Sequence, residues 1–346
     1  MARLPGTSAS GGPSMADVAK LAGVSGQTVS RVVNGNDRVT AATRLKVETA
    51  MRQLGYRANI AARALATGRF GTIGVVMFNL STIGNVRILE AVTAGAQARG
   101  YSVSVAMVDA PTEKNVQAAV RGLTDRAVDG VIVIEARVLD TPHLRLPEEA
   151  PLVVADSRAA HRHPTFGMDE AAGARAAVEH LLRLGHATVH HVAGPAGSNA
   201  AQRRRAAWQR LLKREGRPVP PAEAGDWSPQ SGYDAAHRLL ARDSGSVTAV
   251  FAANDQMAAG VLRAAAELGL QVPEELSVVG FDDLDLAPFL TPPLTTVRQD
   301  LAAVGRHCLN HLIAQIEARG AEVTRPAVRF VRPELVVRSS TASPRR

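Results

Sequence analysis

Apolar residues recur at helical spacing in the first part of the chain and form continuous runs in the rest. Val18, Ala19 and Ala22 share one face of a helix predicted over Met15–Ala22, Gly23 interrupts it, and Val29, Val32 and Val33 restart the period within Ser25–Asn34. Ser14 and Asp17 have the spacing of a capping pair for the first helix. Thr40 is placed to cap a third helix, whose expected buried stripe is Leu45, Val47, Ala50, Met51 and Leu54, and Gly55 ends it. The next stretch, NIAARALA over Asn59–Ala66, is a helix former too short to stand alone, because nucleation outweighs its few hydrogen bonds. It is expected to order only against a partner.

From Gly71 the pattern changes. TIGVVMF, YSVSVAMV, DGVIVI and PLVVAD read as strands, with helices between the earlier ones. A second series follows: ATVHHVAG, a helix through Trp208, TAVFAAND, a helix through Leu268, then ELSVVGFDD. Runs apolar on both faces imply parallel strands covered by helices. The fold class is therefore α/β: an all-α head, then two doubly wound units with a crevice at the strands' carboxyl ends. The helix 298–319 and the strand RFVRPELVV are expected to weave back between the units. The expected layout is disordered tails over 1–13 and 339–346, a helical domain over 14–58, a hinge over 59–70 and a body over 71–338. Within the body, one subdomain takes 71–167 plus 298–325 and the other 168–297 plus 326–338.

Charge sharpens the picture. Residues 1–70 hold ten Lys or Arg against three acids, so this segment carries +7 of the chain's net +8. A basic bias confined to a helix-turn-helix pattern is a phosphate footprint, and a short second helix presenting Gln27, Thr28 and Arg31 suits a DNA major groove. Aromatic residues are only 3% of the chain, which makes each Trp informative. The single cysteine, Cys308, excludes an internal disulfide and fits a reducing cytoplasm. No apolar run reaches the roughly 18 residues of a membrane span, and the Gly/Ser/Pro-rich N-terminus lacks the apolar core of a secretory signal. No phosphate loop or nucleophile elbow occurs, and Gly194-x-x-Gly197 is too little to cradle a nucleotide. His161-x-His163 and His190-His191 lack cysteines or a helically offset partner, so neither enzyme chemistry nor a metal or cofactor is expected.

Longer strings carry a family resemblance. DVAKLAGVSGQTVSRVVN, TRLKVETAMRQLGYRAN and ARALATG resemble the head and hinge of the lactose-repressor (LacI/GalR) family. VEHLLRLGH, VAGP, RRRAAWQRLL, GDWS, FAANDQMAAG, LSVVGFDD and PPLTTVRQD resemble its body, in the family's order. The resemblance implies a helix-turn-helix head, a hinge helix and a two-subdomain body like a periplasmic sugar-binding protein. It implies a homodimer on near-palindromic double-stranded operator DNA, governed by a small-molecule effector. By family position, Gln27 and Arg31 read base edges, and Leu65 wedges into the minor groove. Gly26, just before Gln27, has nothing to offer a base. Ser25, Thr28, Asn34, Arg38, Thr40, Thr43, Tyr56 and Asn59 suit phosphate contacts, which set register rather than sequence.

The family's sugar-contact positions fall on Asp156, Arg204, Asn254 and Asp282, with Trp227 as a stacking platform and Gln299 as a further lining residue. Phe78, Met168, Ala200 and Leu301 occupy lining positions where this chain departs from the family's best-known member. A galactoside-sized inducer is the first expectation. A purine-like corepressor, with the opposite effect on DNA binding, and a sugar-binding transport protein are the alternatives. After Val337 only RSSTASPRR remains, with no apolar heptad, so a dimer rather than a tetramer is expected.

Overall fold

The computed structural model describes residues 13–33, 38–56, 69–78, 82–134, 146, 150–155, 163–242, 245–318 and 328–345. The chain divides into two units, Met1–Gly71 and Thr72–Arg346.

The first unit holds α1 (Met15–Ala22), α2 (Gly26–Val33) and α3 (Ala41–Leu54). Ser14 and Asp17 form a reciprocal capping box, with the Ser14 amide donating to Asp17 Oδ2 at 2.8 Å. Thr40 caps α3, and Gly23 and Gly55 end α1 and α3 in the left-handed conformation. Val18, Ala19, Val29, Val32, Val47 and Ala50 make the small core. Leu45 departs from the expected stripe and is 60% exposed. Its position one turn before Thr49 lies off the Val47–Ala50 face, so the buried stripe is narrower than the apolar positions suggest.

The second unit contains two parallel sheets. β1 (Thr72–Met77), β2 (Ser102–Met107), β3 (Gly130–Ile134), β4 (Leu152–Ala155), β5 (Thr165–Met168) and β11 (Val328–Val331) form a six-stranded sheet in the order β11-β5-β4-β3-β1-β2. Helices α4 (Ile83–Gln97), α5 (Glu113–Thr124) and α10 (Leu301–Ala318) cover it. The other sheet has the order β7-β6-β8-β9, from β6 (His190–Ala193), β7 (Glu223–Ala224), β8 (Ala249–Ala252) and β9 (Ser277–Val279). Helices α6 (Glu170–Arg183), α7 (Asn199–Arg214), α8 (Pro229–Arg242) and α9 (Asp255–Glu267) flank it. Buried Trp208 ties α7 to this sheet, donating to the Val189 carbonyl at 2.8 Å. His191, fully buried between Trp208 and Phe251, is a core residue, and burial pushes its ring down to about 4.

The chain crosses between the sheets three times: from β5 into α6, from β10 (Thr296–Arg298) into α10, and from β11 into β12 (Glu334–Val336). The last crossing corrects the expected division at residue 326. β11 pairs with β5 in the first sheet, and only β12 returns, antiparallel to β10. Pro333 stands between them, and a residue without an amide proton cannot continue a ladder.

The C-terminal tail is also ordered, contrary to its polar composition. Ser340 is fully buried. Its hydroxyl donates to the Val278 carbonyl at 2.6 Å and accepts from the Thr295 amide at 2.8 Å, while its carbonyl accepts from the Val278 amide at 2.8 Å. His180 and His186 hold Thr341 and Ala342 at 2.9 and 3.0 Å. Small hydroxyl side chains carry no hydrophobic pattern, yet they satisfy backbone groups along β9 that burial would otherwise leave unpaired.

Candidate functional site

In the head, α2 turns Val29 and Val32 inward and leaves Gln27 and Arg31, one helical turn apart, exposed on the opposite side. Gly26 opens the helix beside them, and a Cβ added there would meet nothing within 4 Å. The position lacks a side chain, not room. Ser25 Oγ accepts from the Thr28 amide at 3.2 Å and lies 2.9 Å from the Thr28 hydroxyl. Thr40 and Thr43 pair their hydroxyls in the same way at 2.9 Å. These hydroxyls cap the helices in the free head, at helix starts whose amides and dipoles suit an anion. Arg38 is exposed, and Tyr56 packs partly buried against the head core. Asn34, Asn59 and Leu65 lie outside the described residues.

In the body, a cavity of about 340 Å³ opens where strands of both sheets end. Its polar residues sit two or three positions beyond apolar strands: Glu170 after β5, Asn254 after β8 and Asp282 after β9. Each strand is fixed by burial on both faces, so the residue that follows it is delivered to the crevice. Arg204, on the second turn of α7, is 4% exposed and stands at the centre. Its Nε donates to Glu170 Oε2 at 2.6 Å, its Nη1 donates to the Ala253 carbonyl, and its Nη2 faces Asp282 Oδ1 at 3.5 Å. The guanidinium lies 3.7 Å from the Phe281 ring centroid and 5.6 Å from that of Trp227.

Trp227 forms an apolar wall. Its backbone has φ of +80°, a strained value for a non-glycine residue. Asn254 holds that conformation, donating from Nδ2 to the Trp227 carbonyl at 3.0 Å while its Oδ1 caps α9 through the Met257 amide at 2.9 Å. The indole lies flat on Gly194, where a Cβ would sit 2.4 Å from the ring. Asp282, with φ of +110°, is held by its amide's bond to the Val297 carbonyl at 2.8 Å and by Gln299, whose Nε2 donates to Oδ1 at 2.6 Å.

A model of bacterial regulatory proteins of the lacI family matches residues 14–59, and a periplasmic binding protein-like domain model matches residues 178–341. The lactose operon repressor of Escherichia coli K12 is 36% identical over 345 residues, covering 95% of this chain and 92% of that protein. The chain belongs to the LacI family. The crystal structure of the lac repressor dimer bound to operator and the anti-inducer ONPF superposes with a TM-score of 0.83 at 33% identity, over 96% of this chain and all of that one. A transcriptional regulator CelR–cellobiose complex gives 0.69 at 30% identity, over 95% of this chain and 99% of that one. The protein is thus a LacI-family DNA-binding repressor with an effector-binding body, and not an enzyme.

Within this LacI-family body, Arg204, Trp227, Asn254, Asp282 and Gln299 come together around one cavity, joined by Ala200 and Leu301. Phe78 and Met168 do not line it. Phe78 packs with Val76, Val108 and Val116 under one face of the first sheet, and Met168 with Ile134 and Ala155 under the other. Both strands are covered on both sides, so large apolar residues at their ends are absorbed by core. Asp156 lies outside the described residues. Sequence reasoning missed Glu170, although Asp169-Glu170 follows the strand TFGM just as Asp282-Asp283 follows VVGF. It also missed Asn85, Ser198 and Asp226, which carry no such signal.

Burial raises the pKa of two carboxyl groups, Asp282 and Asp255. Burial, opposed by Arg204 and reinforced by Glu170, pushes Asp282 up to about 6. Asp255 lies behind it, fully buried, accepting from the Leu284 amide at 2.8 Å and from the Thr296 hydroxyl. Burial and the charge of Asp282 push Asp255 up to about 7 from 3.8. A carboxyl raised on folding binds its proton more tightly in the native state. Its contribution is therefore full below the unfolded value and is lost as pH rises toward the folded one. Urea unfolding from pH 4 to 8 should show wild-type stability falling relative to Asp255→Asn by a few kcal/mol, roughly what a shift of this kind implies. Parallel profiles would contradict the assignment.

Proposed function

We propose that the protein acts as a homodimer on a near-palindromic operator and is released by a neutral sugar or glycoside, galactoside-like in size, bound between the subdomains. The supporting observation is the juxtaposition of the Trp227 indole with Arg204, Glu170, Asp282 and Gln299 in one cavity. A sugar has an apolar ring face for the first and hydroxyls for the rest. A purine would also stack on the indole, but as a corepressor it would tighten DNA binding. The two readings differ in sign.

A gel shift on the operator-like DNA upstream of the protein's own gene, challenged with glycosides and purines, tests both. Release by a sugar is expected. Tightening by a purine, with no sugar active, would replace the inducer reading. In the same assay Arg31→Ala should cost about 1–3 kcal/mol at the cognate site and relax sequence selection, while leaving effector binding unchanged. An unaltered footprint would remove Arg31 from base reading. Leu65→Ala should lower operator affinity and DNA bending together, and normal bending would remove the wedge.

A further inference from the structure

Among the described residues lining the cavity, the charged groups are three carboxylates and one cation: Glu170, Asp226, Asp282 and Arg204. Arg204 is already engaged on three sides, by Glu170 Oε2 at 2.6 Å, by the Ala253 carbonyl and by Asp282 at 3.5 Å. Glu170 is itself 3% exposed, so this is a buried pair rather than a surface one. Asp226 is held ionised by the hydroxyls of Ser228 and Ser231, which lower its pKa. Among the charged lining groups the acceptors outnumber the one cation, beside the neutral side chains of Thr82, Asn85, Ser198 and Gln256. Gln299 donates to Asp282, and its Oε1 is buried with no partner among the described residues. Asn254 has its oxygen on the α9 cap and donates to the Trp227 carbonyl.

We propose that the cavity selects its effector by charge. It admits a neutral or cationic polyhydroxyl compound and rejects the phosphorylated or carboxylated form of the same compound, with Glu170 and Asp226 setting the bias. This deepens the sugar reading above and rests on it. A ligand hydroxyl or ammonium donates to the acceptors that face inward. An incoming anion meets like charge from the exposed Asp226 and then from Glu170 and Asp282 in a partly enclosed space, where repulsion is screened far less than in water. To reach Arg204 it must also displace Glu170 and leave a buried carboxylate unpaired. The regulator would then report a sugar before any phosphoryl transfer to it or oxidation of it to an acid.

The test uses the full-length protein and matched ligands: galactose, lactose and cellobiose, the 6-phosphates of galactose and glucose with their parents, galacturonate, galactosamine, adenine and inorganic phosphate. Binding is read from tryptophan fluorescence, since Trp227 lines the cavity and Trp208 is sealed in the core. The expected result is that neutral or amino sugars bind and each anionic counterpart binds at least about tenfold more weakly, the equivalent of about 1.4 kcal/mol. Glu170→Gln and the exposed Asp226→Asn should each narrow that gap at least about threefold. The second variant removes charge at an exposed side chain outside the buried ion pair. If Glu170 only props Arg204, Glu170→Gln weakens neutral and anionic ligands by one factor and the gap stays, which overturns its assignment. Anionic forms binding as well as their parents overturn the proposal. If adenine alone binds, the sugar reading falls, and the charge selection falls with it unless adenosine binds at least about tenfold more tightly than its 5′-phosphate; silence across the whole panel sinks both.

Discussion

Arg204→Ala is expected to be the most damaging single substitution in the body. Removing the guanidinium leaves Glu170 buried without its partner, removes the cation beside Asp282 and frees the Ala253 carbonyl. Breaking a buried ion pair from one side costs about 3–5 kcal/mol, because the surviving charge stays desolvated. For a domain of this size that lowers the melting temperature by on the order of 10 °C. Arg204→Met with Glu170→Met should recover part of the loss, since an apolar pair of similar volume avoids the stranded charge. Effector binding should not recover. Calorimetric melts of the three proteins decide the matter, and an Arg204→Ala melt within about 2 °C of wild type would contradict the buried-pair account.

The second large effect is expected at Gly194. A Cβ there would lie 2.4, 2.6 and 2.7 Å from Cη2, Cζ3 and Cζ2 of Trp227. Gly194→Val must therefore push the indole into the cavity it walls. Overpacking of this kind costs about 1–3 kcal/mol of stability, which a domain of this size survives. Effector affinity should fall at least about tenfold, while the helix-turn-helix head, a separate unit, keeps its operator affinity. The expected phenotype is a repressor that binds its site and no longer lets go. Gel shifts with and without ligand check it, and normal release would mean that the ligand does not touch the indole.

Much of this site was legible in the chain because of one regularity. A strand apolar on both faces has its direction and depth fixed, so the polar residue that ends it points into the crevice. Asn254 and Asp282 obey this, and so does Glu170, which no string of the family resemblance marks. Phe78 and Met168 failed for the complementary reason: a large apolar residue at a strand end is as well suited to core as to a pocket wall. The binding of Ser340 along β9 was invisible, because hydrogen-bonding hydroxyls leave no period in a sequence. RFVRPELVV reads as one strand of the second subdomain unless Pro333 is given its full weight as a break, which leaves β11 in the first sheet and β12 alone beside β10.

The three short straps that join the sheets constrain how this body can respond to anything placed inside it. Each is only a few residues long, and each is anchored at both ends in a ladder or a helix. Such straps can twist but cannot lengthen, so the two halves are not free to slide apart or past one another. What is left is a rocking movement, like a book opening on a sewn spine. Filling the gap between the covers can alter only the angle at which they stand, and a signal from the cavity must leave the body as a rotation.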